Sequence, residues 1–131
     1  ALKFFIDNGY SVSQAAGIAA GLQEANGFKT HTKDDTEFFT GIAKWSRTGP
    51  RYRNLIQFTD RNIQRFSVQL QFVLQELRTT QTIANSKILR STLIKSPEGS
   101  AQLFVKYYLK SDISASNVER IAENAYDEVI R

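Results

Sequence analysis

Apolar side chains recur along most of this chain at the three- and four-residue spacing of helices, and the breaks between runs are sharply marked. Leu2, Phe5 and Ile6 form the apolar side of a short opening helix. Asn8-Gly9 ends it, because glycine accepts the left-handed backbone found just past helix ends. Ser11 and Gln14 have the spacing of a capping box, which predicts a helix running to Glu24–Asn26 and stopped by Gly27. From Phe28 to Pro50 the helical period is lost. Polar residues dominate Lys29 to Asp35, and Phe38, Phe39 and Ile42 then supply bulk, so a loop or small β-hairpin is expected over the end of the preceding helix.

Helical spacing returns over Arg51–Thr59 with Leu55, Ile56 and Phe58. Ser67 is expected to cap a strong helix through Leu77, with Leu70, Val73, Leu74 and Leu77 on one face. Ile83 to Leu93 carries Ile83, Ile88 and Leu89. Ser96-Pro97-Glu98 is a helix start: a capping hydroxyl, a proline at the first position and an acid against the helix dipole. Leu103, Phe104, Tyr107 and Tyr108 follow. The closing helix, capped near Ser114 or Ser116, carries Val118, Ile121, Ala122, Ala125 and Val129. The expected fold class is mainly α: one compact helical domain over residues 1–131, with a short loop or β-hairpin around 28–50.

Composition narrows the chemistry. The chain has no cysteine and one histidine, His31, which excludes disulfides, thiolate metal sites and histidine-rich metal sites. No metal or other cofactor is expected, and carboxylates are left as the reactive groups. No apolar run reaches the roughly 18 residues of a membrane helix, and Ala1–Ile6 is too short for a signal peptide. A net charge of +4 favours an anionic partner, and cell wall and nucleic acid both qualify.

The stretch Gln14-Ala15-Ala16-Gly17-Ile18-Ala19-Ala20-Gly21-Leu22-Gln23-Glu24-Ala25-Asn26-Gly27-Phe28, read with Gly41-Ile42-Ala43-Lys44-Trp45-Ser46, resembles the phage tail lysozymes, a branch of the lysozyme-like glycoside hydrolases. The resemblance extends along nearly the whole chain. Asn8-Gly9-Tyr10-Ser11 is similar to the family's opening motif, and Pro50-Arg51 with Leu55 continues the Gly-Ile-x-x-Trp segment. Gln69-Leu70-Gln71-Phe72 with Glu76-Leu77 is similar to its middle helix, and Ala101, Phe104 and Tyr108 to its later Ala-x-x-Phe-x-x-x-Tyr. Two departures matter. The family's helix ends in Gln-Ala-Glu-Ser-Gly-Phe, with the glutamate as general acid, and Ala25 holds that place here. Lys44 replaces a glutamine that would line the cleft.

Glycosidic cleavage needs a carboxylic acid to protonate the departing oxygen, held in apolar surroundings that keep its proton on. Position 25 shares a helix face with Ile18, Gly21 and Leu22, a face expected to pack inward. Ala25 has no proton to donate. Glu24 is its nearest substitute, but adjacent helix positions point about 100° apart, so Glu24 projects with Gly17 and Ala20. A solvated acid at the helix end is the plainer reading of it. Asp34, Asp35 or Glu37 could supply a second carboxylate. Asp34 lies nine residues beyond position 25, a separation similar to that of the two carboxylates in small phage lysozymes. A solvated acidic turn beside Lys33 is the alternative.

Trp45 is the candidate for stacking on a sugar ring, or is core. Gly41, Ile42 and Lys44 share its segment and are counted with it as candidate substrate-binding residues. Tyr108 lines the floor or packs, and His31 is an exposed loop residue.

The resemblance therefore implies a muramidase-type domain of a phage or prophage particle, associated with the virion or acting in the bacterial envelope on peptidoglycan glycan strands. Other virion or tail proteins are possible partners. With Ala25 at the acid position, engineered or natural, the enzyme is expected to be silent or weak. The alternative is a catalytically dead module that binds peptidoglycan or a protein through the same cleft, and Lys44 speaks for it. Nucleic-acid binding through Arg47, Arg51, Arg53, Arg61 and Arg65 is the least favoured reading, since no groove-reading motif accompanies them.

Overall fold

The computed structural model describes residues 1–27, 39–43, 45–46, 49–59, 65–89, 96–110 and 115–130. Among these, the order is α1 (Leu2–Asp7), α2 (Val12–Asn26), β1 (Phe39–Thr40), β2 (Trp45–Ser46), α3 (Pro50–Thr59), α4 (Phe66–Arg78), α5 (Thr82–Leu89), α6 (Pro97–Phe104), a π-helical turn (Val105–Leu109) and α7 (Ala115–Ile130). The fold is mainly α, as the periodicity predicts. The two short strands pair antiparallel, Phe39 with Ser46 and Thr40 with Trp45.

Local chemistry sets the boundaries of the first helices. Gly9 has φ +101° just past α1. Ser11 Oγ accepts the Gln14 N–H and the Gln14 side chain accepts the Ser11 N–H, closing the capping box. Gly27, left-handed at φ +57°, ends α2. Ser96 Oγ accepts the Gly99 N–H at the start of α6.

Elsewhere the structure corrects the pattern. α4 begins from Arg65, whose carbonyl accepts the Gln69 N–H, so Ser67 lies inside the helix and no side chain caps it. Of the two serines expected near the start of α7, Ser116 lies inside the helix and Ser114 lies outside the described residues. Ile56, Ile83 and Leu89 face outward, because their helices bury the neighbouring positions Leu55, Ala84 and Ile88 instead, and Val129, in the last turn of α7, is also exposed.

The α2 helix packs chiefly against α6 and α7, and its small residues make that approach possible. A Cβ on Gly17 would stand 2.5 Å from the backbone nitrogen of Ala101, and one on Gly21 would stand 2.5 Å from the Phe104 ring. Ala20 joins Ala101, Val118 and Ala122 in one small apolar group. The larger group gathers Ile18, Leu22, Ile42, Trp45, Leu55 and Phe72 with neighbours from α1, α5, α6 and the π-helical turn. Each such fully buried large side chain contributes roughly 1.5–3 kcal/mol. At the α2–α6 crossing Ser100 Oγ is buried without a hydrogen-bond partner, at a desolvation cost.

Candidate active site and its buried support

Ala25 lies on the last turn of α2, 6% exposed, on the side that carries the fully buried Ile18 and Leu22. Glu24 is half-buried and leaves the helix on the side of Gly17 and Ala20, the side packed against α6 and the small apolar group. The two positions thus occupy different environments, as the 100° step between them requires. His31, Lys33, Asp34, Asp35, Glu37 and Lys44 lie outside the described residues, and so do Arg47 and Arg61.

The Gly41–Trp45 segment is held from below by α4. Gly41 adopts φ +86°, and a Cβ there would stand 2.5 Å from the Trp45 ring. The Ile42 N–H donates to Gln69 Oε1 at 2.9 Å, and both residues are fully buried. Trp45 itself is 2% exposed. Its indole N–H donates to Glu76 Oε1 at 2.8 Å, and its ring meets Phe72 edge-on at 5.4 Å between centroids. Neither ring face is open to a sugar in this structure, so Trp45 acts as a buried strut.

Tyr108, fully buried, belongs to the same assembly. Its hydroxyl donates to Glu76 Oε1 at 2.6 Å and its ring stacks on Phe104. It packs beneath the site and presents no edge to a cleft.

Glu76 is the centre of this assembly. Arg51 approaches its carboxylate side-on, Nε to Oε2 at 2.6 Å and Nη2 to Oε1 at 2.8 Å. The third guanidinium nitrogen, Nη1, donates to the Tyr108 carbonyl at 3.0 Å, and the guanidinium lies 4.6 Å from the centre of the Tyr108 ring. A carboxylate offers about four acceptor positions, and Arg51, Trp45 and Tyr108 supply four donors. Burial, and next the negative charge of Glu76, push the Tyr108 hydroxyl well above its ordinary value, with Arg51 opposing. Burial disfavours the Arg51 cation, but its bonds to Glu76 and the nearness of Tyr108 outweigh that and raise its pKa.

The sequence reading overlooked Gln69 and Glu76 as site supports. Their signal was available: two polar residues seven apart, in a helical register shared with the buried Phe72 and Val73, interrupt an otherwise apolar stripe. Among the described residues no group of three or more His, Cys, Asp or Glu stands together as a metal-ligand set. None of the described helices is long and apolar enough to cross a membrane.

Comparison with known families gives a match to the phage tail lysozyme family over residues 1–129, and the chain belongs to that family. It is thus a lysozyme-like chain of phage type, and peptidoglycan is the substrate that membership implies. Curated proteins and solved structures give no match.

Proposed function

We propose that residues 1–131 form a single muramidase-type domain of a phage or prophage particle that engages peptidoglycan glycan strands but cleaves them weakly or not at all. The burial of Ala25 carries this reading. A carboxyl group at the end of α2, on the Ile18–Leu22 side, would be desolvated enough to keep its proton for the departing glycosidic oxygen. Alanine offers nothing in its place, and absence of a general acid typically costs about 10²–10⁴ in rate. Asp34 or Asp35 is the proposed second carboxylate. Lys44 is the proposed substrate contact, with Gly41, Ile42, Trp45 and Tyr108 holding its segment from behind.

The test is release of muropeptides from purified peptidoglycan by the chain and by Ala25→Glu at equal concentration. Cleavage by Ala25→Glu alone supports position 25 as the acid site. Cleavage by the chain as it stands moves the acid to Glu24 or elsewhere. Wall binding by both without cleavage by either favours the second reading, a binding module, for which the pairing of Ala25 with Lys44 speaks.

A further inference from the structure

Charge is divided unevenly along the chain. Residues 115–131 carry four acids and two arginines, whereas residues 1–114 carry fifteen basic and nine acidic residues. The closing helix is therefore an acidic element on a basic body. Its burial is uneven too. Along one stripe of α7, Val118 and Ala122 are buried, Ala125 is half-buried and Val129 is exposed, with Ile130 beside it 58% exposed. The last turn thus runs past the surface of α2 and α6 that covers the earlier turns. Asp127 and Glu128 share that turn, at the negative end of the helix dipole, where a cation is favoured.

A surface of opposite character lies on α5. Ile83 is 70% exposed, more than any other large apolar side chain among the described residues. With Thr82, Ser86 and Lys87 it borders an open depression of about 610 Å³. Ile83 and Lys87, four residues apart, share one face of the helix, while Ala84 and Ile88 are buried on the other side. The α5 sequence contains no acid. Lys106 adds to its charge, because the Nζ atoms of Lys87 and Lys106 stand 5.4 and 5.3 Å from the centre of the same Tyr107 ring. An acidic side chain laid across this face meets two cations.

We infer that this chain associates with itself, the last turn of α7 on one copy seating in the α5 depression of another. Each surface supplies what the other wants. Val129 and Ile130 cover Ile83, and Asp127 and Glu128 meet Lys87 and Lys106. The contact joins unlike surfaces, since α5 packs on α4, α6 and the π-helical turn and α7 packs on α2 and α6. One helix end in one depression makes a small interface, so the association is weak and sensitive to salt. It does not rest on the activity proposed for Ala25.

The test is sedimentation equilibrium of the whole chain at concentrations up to about 1 mM, in low and in high salt. A reversible rise of mass with concentration is expected, and salt should diminish it. Ile83→Asp/Lys87→Glu spoils the α5 surface, and Glu128→Lys/Ile130→Lys spoils the end of α7. Each double variant alone should raise the dissociation constant about tenfold or more. Thermal unfolding followed by circular dichroism should be unchanged in both, because all four residues are exposed. Mixed in equal amounts, the two variants should form a one-to-one dimer, since each keeps the surface the other has lost.

A monomer up to about 1 mM in low salt would overturn the inference and leave the end of α7 to a different partner. So would association that survives either double variant, or a mixture of the two that stays monomeric.

Discussion

Trp45 and Glu76, 31 residues apart, are joined by a 2.8 Å bond from the indole N–H to a carboxylate oxygen that is itself 1% exposed at the residue level. That bond fixes the hairpin to α4. Through the same carboxylate, Arg51 fixes α3 and Tyr108 fixes the π-helical turn. The position of the Gly41–Trp45 segment therefore depends on one buried acid.

Glu76→Ala should destabilise the fold by about 3–5 kcal/mol, because it leaves the partly buried guanidinium of Arg51 unpaired. Arg51→Met should cost a similar amount. In urea denaturation the double variant is expected to lose less than the sum of the singles, by about 1–3 kcal/mol. Additive losses would show that the pair does not act as a unit.

Alkaline stability should depend on Tyr108. Its folded-state pKa is raised, chiefly by burial, so the stability it contributes is complete below the unfolded value of about 10 and is lost as pH rises beyond it. Tyr10, raised by burial against the opposing charge of Arg78, adds to the same limb. Tyr108→Phe should cost about 1–2 kcal/mol at neutral pH through the lost bond to Glu76. It should also flatten the fall in melting temperature above about pH 10.

Gly41→Ala should loosen the hairpin. Its positive φ costs a side chain about 1–2 kcal/mol, and the clash with the Trp45 ring adds about 1–3 kcal/mol. Because Trp45 is the chain's single tryptophan, emission directly reports its burial. A red shift is expected, and an unchanged spectrum would show that the turn absorbs the methyl group.

Gly17→Ala tests the close approach of α2 and α6. Alanine gains up to about 1 kcal/mol in helix propensity, but its Cβ meets the backbone of Ser100 and Ala101 at 2.5–2.6 Å, and backbone does not yield cheaply. A net loss of about 1–3 kcal/mol is expected from thermal unfolding.

Ala25→Glu should be tolerated with a pH-dependent penalty. A carboxyl at this desolvated position has its folded pKa raised above the unfolded value of about 4.3, so the variant loses stability as pH rises through that window. Relative to the unsubstituted chain, the deficit should be small at about pH 4 and should reach about 1–3 kcal/mol near neutrality. A deficit independent of pH would place the new side chain in solvent.

The helix boundaries that were legible in the sequence are those fixed within a few residues of chain. Ser11 with Gln14, Gly27 past Asn26, and Ser96 before Pro97 each satisfy backbone groups next to them, so three or four letters suffice. Where no side chain caps the helix, as at Arg65, the boundary drifted from the expected serine. Periodicity placed the stripe Leu70, Val73, Leu74 and Leu77 correctly. It misjudged Ile56 and Ile83, whose side of the helix depends on what another segment brings against it. The π-helical turn was invisible for the same reason, since the burial of Phe104 and of Tyr108, whose hydroxyl bonds Glu76, belongs to tertiary packing.

The mainly helical class, the caps of the best-marked helices and the family were legible in the chain alone, because each is written in neighbouring residues. The tertiary structure decided that Trp45 and Tyr108 are buried supports and that Glu76 is their common acceptor. Those facts join residues 25 to 32 positions apart on separate elements. A carboxylate is stable in the interior only when all its donors arrive together, and that convergence exists only once the helices have packed.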